Sequence, residues 1–247
     1  MKYNATKNEI IGYSKGLKGV VVVPDGILKI CSGAFFGCKE ITSVFIPESV
    51  TEIGSEAFKY CQNLVSVHLP SHLTFIEPLT FNFCCSLKDI NIPNCVEVIG
   101  DAAFGMCVDL VSFTFPETLK RIGSDAFIGC NFESIVLPYG LEKLEDSSFC
   151  NCHELKKAVL PNTIKSIGKE AFYGCKNLEE IEIPNSVKEI GCWAFKGCRS
   201  IRTIEIPSSV TLIGSGAFSC CTNLTYDDVK FSTTYSYFLK SFIKSAN

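Results

Sequence analysis

The sequence predicts a solenoid, one elongated domain wound from nine short coils with a parallel β-sheet along one wall. Three observations predict it. Pro24, Pro47, Pro70, Pro93, Pro116, Pro138, Pro161, Pro184 and Pro207 stand 23 residues apart, with a single interval of 22. A phenylalanine follows each of these prolines by 11 residues and a cysteine by 14, without exception. Each unit then ends on an apolar-x-apolar run such as Ile181-Glu182-Ile183, which has the period of a strand. A repeat of this length buries its apolar face only against its neighbours, so the whole chain forms one stack and no linker is expected.

Composition agrees with a continuous core. Of 247 residues, 47% are hydrophobic and 20% charged, too apolar a balance for disorder. A net charge of −3 with no basic stripe gives no case for nucleic acid. The first residues, Met-Lys-Tyr-Asn-Ala-Thr-Lys-Asn-Glu, lack the apolar run of a secretory signal. No run of about 18 apolar residues could span a bilayer, so membrane contact is not expected. Fifteen cysteines is an odd total, and nine of them share one repeat position. Buried, reduced thiols are therefore expected in place of a disulfide framework, which points to a cytoplasmic location.

Each element follows from its position in the unit, counting the repeating proline as zero. Residues 1–23 are read as an N-terminal cap and first strand: Val20 to Val23 supply the strand, and the polar segment Tyr3 to Tyr13 covers its open edge. Residues 24–229 hold the nine repeats. Position +3 is always aliphatic, from Ile27 to Val210, and position +6 is isoleucine except at Leu144. Glycine follows at +7 in six units (Gly54, Gly100, Gly123, Gly168, Gly191 and Gly214), where a corner with positive φ is expected. The column at +11, from Phe35 to Phe218, forms a buried spine, each ring contributing roughly 1.5–3 kcal/mol. Cysteine at +14, from Cys38 to Cys221, packs as a small hydrophobe. The closing strands form one parallel sheet, ended by prolines that cannot donate to its ladder. Two units depart: Glu77-Pro78 and Glu145 replace the +7 glycine, and one residue is missing near Asn131-Phe132. Residues 230–247 place Tyr235, Phe238, Leu239, Phe242 and Ile243 at helical spacing, expected as a capping helix or tail.

The unit Ile-Pro-x-Ser-Val-x-x-Ile-Gly-x-x-Ala-Phe-x-x-Cys-x-x-Leu-x-x-Ile resembles the 23-residue leucine-rich repeat of the BspA-like, treponemal-type family over about residues 20–228. The resemblance implies a leucine-rich-repeat solenoid, curved and right-handed, with its sheet on the concave face and short turns or 3-10 segments on the convex face. It also implies the company of bacterial surface adhesins and of proteins expanded in parasitic protists. No catalytic residue comes with it.

The residues themselves offer little chemistry. The only histidines are His68, His72 and His153, and no nucleophile elbow or phosphate-cradling loop is present, so no enzyme and no cofactor are expected. Cys150-Asn151-Cys152-His153 is the only cluster of thiols and imidazole, with Cys130 and Cys175 one coil away. No Cys-x-x-Cys accompanies it, so the packing role of the column is preferred to a metal site. Cys31, Cys85, Cys95, Cys150, Cys192 and Cys220 lie off the column and are the better candidates for oxidation.

Display remains. The residues between the core positions of each strand point to the concave surface. Their column reads Val22, Phe45, His68, Asn91, Thr114, Val136, Val159, Glu182, Glu205, Asp228, apolar at one end and acidic at the other. The expected binding face for a protein partner is Phe45, His68 and Asn91 at the first end, with Glu179, Glu182, Arg202 and Glu205 at the second. Arg202 serves there as a counter-ion to stacked carboxylates. Two alternatives stand beside this reading: a rigid structural component of a larger intracellular assembly, and a cell-surface adhesin or antigen.

Overall fold

A computed structural model describes residues 1–225 and 228–231 of the chain. The expected C-terminal capping helix lies outside the described residues. Those residues form a parallel β-solenoid that holds no helix, with the sheet of the closing strands on its concave face.

At the N-terminus β1 (Lys2–Tyr3) and β2 (Glu9–Gly12) pair antiparallel. The closing strands then stack along the concave wall. β3 (Gly19–Val22), β5 (Ile41–Phe45), β7 (Ser66–His68) and β9 (Asp89–Ile90) form the first segment. β12 (Ser134–Val136), β14 (Lys157–Val159) and β16 (Glu180–Ile181) form the second, and β18 (Ile204–Ile206) with β20 (Val229–Phe231) the third. The expected unbroken sheet is thus corrected to three segments.

The first break has a visible cause. Phe113 stands where the neighbouring coils bring in Val67, Ile90 and Ile135, and its ring wedges against Phe104 and Phe127 at centroid distances of 5.3 and 4.9 Å. A ring this size does not fit a slot built for a branched aliphatic, so residues 111–115 leave strand geometry. The coil shortened by one residue follows at once, and Phe132 fills its interior 5.5 Å from Phe127.

A second ladder, absent from the sequence-based expectation, runs along the convex side. Short strands pair in parallel as β2, β4 (Lys29–Ile30) and β6 (Glu52–Ile53). The next group is β8 (Phe75–Ile76), β10 (Val98–Ile99) and β11 (Arg121–Ile122), and the last is β13 (Lys143–Leu144), β15 (Ser166–Ile167), β17 (Glu189–Ile190) and β19 (Leu212–Ile213). Each strand buries only its isoleucine or leucine, so no alternation betrays it in the sequence. The hairpin of β1 and β2 extends this ladder. The segment Tyr3 to Tyr13 therefore covers the end of the convex strip and not, as expected, the edge of β3. Among the described residues no strand pairs with that edge.

The +7 glycines require the main correction. None of the six has a positive φ. They are small because the coils touch there: a Cβ on Gly54 would lie 2.5 Å from Ser32 N, and one on Gly191 2.5 Å from Lys169 N. That approach lets the glycine N–H reach the carbonyl of the coil before, as in Gly100 to Ile76 and Gly191 to Ile167, both 2.8 Å. Of the three coils without this glycine, those carrying Glu77 and Glu145 are the two at which the convex ladder breaks, between β6 and β8 and between β11 and β13, while at Cys31 it runs on from β2 to β4.

Left-handed backbone falls at +9 and +13 of every coil, mostly on residues other than glycine, such as Glu56 (φ 60°) and Tyr60 (φ 62°). Each costs about 1–2 kcal/mol. Bonds to the next coil hold them there: Glu56, Phe58 and Tyr60 donate to the carbonyls of Pro78, Thr80 and Asn82 at 3.1, 2.9 and 2.8 Å. Beneath this turn wall the phenylalanine spine is buried, with successive rings from Phe35 to Phe218 stacked nearly parallel at 5.1–5.7 Å. Tyr13 continues the stack 6.4 Å beyond Phe35.

Candidate binding face and thiol columns

Strand alternation puts two columns of side chains on the concave wall, one on either side of the buried Val21, Val44, Val67 and their successors. In the column predicted for recognition, Phe45 and His68 sit side by side in the register of β5 and β7. Their rings stack at 4.3 Å and 8°, with Phe45 41% exposed. Val22, paired with Phe45, is 64% exposed and prolongs this apolar end. Asn91 follows β9 and is exposed. The structure therefore brings the three predicted residues of the first end together.

The second end is organised differently. The register of β18 and β20 sets Lys230, not Asp228, opposite Glu205, a shift of two residues after the last coil. The acidic column thus ends on a cation. Asp228 turns back locally, accepting hydrogen bonds from the amide and hydroxyl of Thr225, and these hold its carboxyl below the usual range. Glu180 is answered by Lys157, 2.5 Å away across β14 and β16. Their contact raises the Lys157 ammonium above its ordinary value. Glu179 and Arg202 lie in a separate exposed row at the strand entries, where Lys156 also approaches Glu133 at 3.9 Å. Glu182 and Glu205 face each other across the gap between β16 and β18, where the sheet segments do not bond. Opening the ladder there relieves two like charges of the close spacing a continuous sheet would impose.

A cleft the sequence did not announce lies beside Asn91, where residues 111–115 leave the sheet. Its volume is about 700 Å³, and Lys88, Asp89, Asn94, Ser112 and Thr114 line it with polar groups. The oversized Phe113 in a strand position was the only signal for it.

The thiol columns are structural. The Sγ–H groups of Cys61, Cys84, Cys107, Cys130, Cys152, Cys175, Cys198 and Cys221 each donate to the carbonyl of the phenylalanine one coil back, at 3.0–3.2 Å. Burial pushes the thiols of Cys61 and Cys221 up to about 12, and those of Cys84, Cys107, Cys152 and Cys198 well above the ordinary range. None of these is a nucleophile.

The Cys150 to His153 cluster is pulled apart by its own bonds. Cys152 points to Phe127 O, and His153 donates Nδ1–H to Gly174 O at 2.8 Å. Of the six cysteines off the column, Cys150 is buried, and Cys95 donates to Leu73 O where other coils place a serine or threonine. Cys192 and Cys220 are exposed.

Comparison with known proteins matches this geometry. The model of the BspA type leucine rich repeat region, in six copies, matches residues 17–133 and 142–246. The crystal structure of a leucine-rich repeat protein of T. pallidum is similar at 27% identity and a TM-score of 0.60, with 91% of this chain and 86% of that chain covered. A leucine-rich repeat protein of Eubacterium ventriosum shares the fold at 20% identity and a TM-score of 0.55, covering 83% of this chain and 65% of that one. So does the pneumococcal vaccine antigen PcpA, at 18% identity and a TM-score of 0.50, with 92% and 76% covered. No curated protein matches the chain. Leucine-rich repeats of this kind typically serve as interaction or surface modules, and among the described residues no helix is long and apolar enough to cross a membrane. Since that family model matches well over half of the chain, the chain belongs to the BspA-type leucine-rich repeat family.

Proposed function

We propose that this protein is a non-enzymatic interaction module that holds a protein partner on its concave sheet. The observation that carries this reading is the stacked, exposed Phe45–His68 pair on the concave wall, next to Val22. Wet aromatic surface of this kind is a cost in the free molecule and an anchor in a complex. Asn91 and the polar cleft beside it extend the contact with hydrogen-bonding groups. Glu182 and Glu205 at the far end select a partner segment that is basic there.

The test compares partner capture by the parent protein with capture by Phe45→Ala/His68→Ala and by Glu182→Lys/Glu205→Lys. Leu212→Ser, on the convex ladder, is the control. Loss in both concave variants with retention in the control supports the reading. An unchanged set of captured proteins in both concave variants removes it.

The same reading places the protein in a reducing compartment. Its support is that all fifteen cysteines are free, with Cys192 and Cys220 exposed. Recovery of the native protein with these two thiols oxidised would instead favour the surface-antigen reading, which the fold shared with PcpA supports.

A further inference from the structure

At the corner where the turn wall meets the entry to the concave strands, coils six to nine enclose a cleft of about 370 Å³. His153, Lys176 and Arg199 hold the same position in three consecutive coils, 23 residues apart, so about 4.8 Å separates each from the next. Lys196 joins them from the adjoining column, its ammonium 5.7 Å from the centroid of the Tyr173 ring. Gly174 and Gly197 (φ +71° and +78°) occupy the left-handed position on its floor, where the side-chain oxygen of Asn151 leans over Gly174. Among the described residues no aspartate or glutamate lines the cleft.

This arrangement departs from the rest of the molecule. Several stacked cations elsewhere are met by a carboxylate on the neighbouring coil, as in Lys120–Glu97 and Lys165–Glu142, both 2.8 Å. Among the described residues, the side chains of Lys176 and Arg199 make neither an ion pair nor a hydrogen bond. His153 is anchored through Nδ1–H to Gly174 O, which fixes its ring at the rim. Like charges on adjacent strands oppose one another. A chain with net charge −3 has carboxylates enough to relieve them, yet among the described residues none is placed here.

We propose that this cleft binds an oxyanion of the phosphate or sulfate ester type. An arginine fork and two ammonium groups around a glycine floor match a tetrahedral group with more than one negative charge. A single carboxylate would leave the cleft positive. The site lies on a different wall from Phe45 and His68 and stands whether or not the concave face binds a partner.

The test uses the full chain with two probes, inorganic pyrophosphate and a trisulfated disaccharide, titrated by calorimetry at constant ionic strength. Lys176→Gln/Arg199→Gln is compared with Lys39→Gln/Lys188→Gln, which removes the same charge outside the cleft. Both variants alter exposed side chains, and unliganded melting curves check that they fold. A tenfold or greater loss of affinity in the cleft variant alone is expected. Cys220 lines the cleft, so bound probe also slows its alkylation in the parent protein while the rate at Cys192 is unchanged. Binding of pyrophosphate alone assigns a phosphate ligand, and binding of the disaccharide alone a sulfate ester. Failure of both probes to bind, or an equal loss in the control variant, overturns the proposal.

Discussion

Replacing Gly191 with alanine tests the idea that the +7 glycines exist for contact between coils. Its backbone lies outside the left-handed region, so by conformation alone alanine is acceptable, and the stiffer unfolded chain would stabilise the protein by about 0.4–1 kcal/mol. The packing says otherwise. The added Cβ would meet Lys169 N at 2.5 Å and Gly168 C at 2.6 Å, where about 3.5–4.0 Å is comfortable. The coils must part by about 1 Å, which overpacking studies value at about 1–3 kcal/mol. The parting stretches the 2.8 Å bond from Gly191 N–H to Ile167 O, a further loss of about 0.5–1.5 kcal/mol. Collision therefore wins over entropy, with a net destabilisation of about 2 kcal/mol, or a fall of about 4–8 °C in Tm for a chain this long. Gly37→Ala is the control: its φ is +68° and nothing lies within 4 Å, so only backbone strain of about 1 kcal/mol acts. Thermal melting combined with amide exchange at residue 191 reads the effect, and exchange accelerates there only in Gly191→Ala. A Tm equal to or above that of the parent would refute the reasoning.

Phe127→Ala removes a fully buried ring that contacts Phe104, Phe113, Phe132 and Phe149; a loss of about 3–5 kcal/mol in urea unfolding is expected, and under 1 kcal/mol would deny the spine its role. Stability is also expected to fall at alkaline pH. The thiols of Cys61 and Cys221 stand at about 12 in the fold against an ordinary 9.0, so the unfolded chain releases its protons first. Their contribution is full below about pH 8.5 and is lost as pH climbs through 9 towards 12; melting curves flat to pH 10.5 would contradict the burial. In native protein a small alkylating reagent reacts at Cys192 and Cys220, and the column thiols become reactive only on unfolding. Modification of Cys107 or Cys130 in folded protein, read by mass spectrometry, would show that the coils breathe.

How much of this was legible in the sequence depends on whether a feature repeats. The proline spacing, the phenylalanine column and the cysteine column each recur nine times, and a residue that recurs at a fixed interval in a stacked chain must face its own copy. For that reason the spine, the buried thiols and the adjacency of Phe45 to His68 followed from spacing alone. Contacts that depend on the distance between coils did not. Glycine looks the same whether it supplies a positive φ or room for a neighbour, and only the approach of Gly191 to Lys169 distinguishes the two. Strand register past the last full unit was equally hidden, since two residues of loop after Cys221 suffice to put Lys230 where counting put Asp228. The sheet break at Phe113 arises from bulk acting across coils. The cationic cleft of coils six to nine joins residues whose shared corner only the winding of the chain creates. Periodicity thus determined which residues stack, and the tertiary structure decided how closely, because closeness is set by the side chain on the other coil.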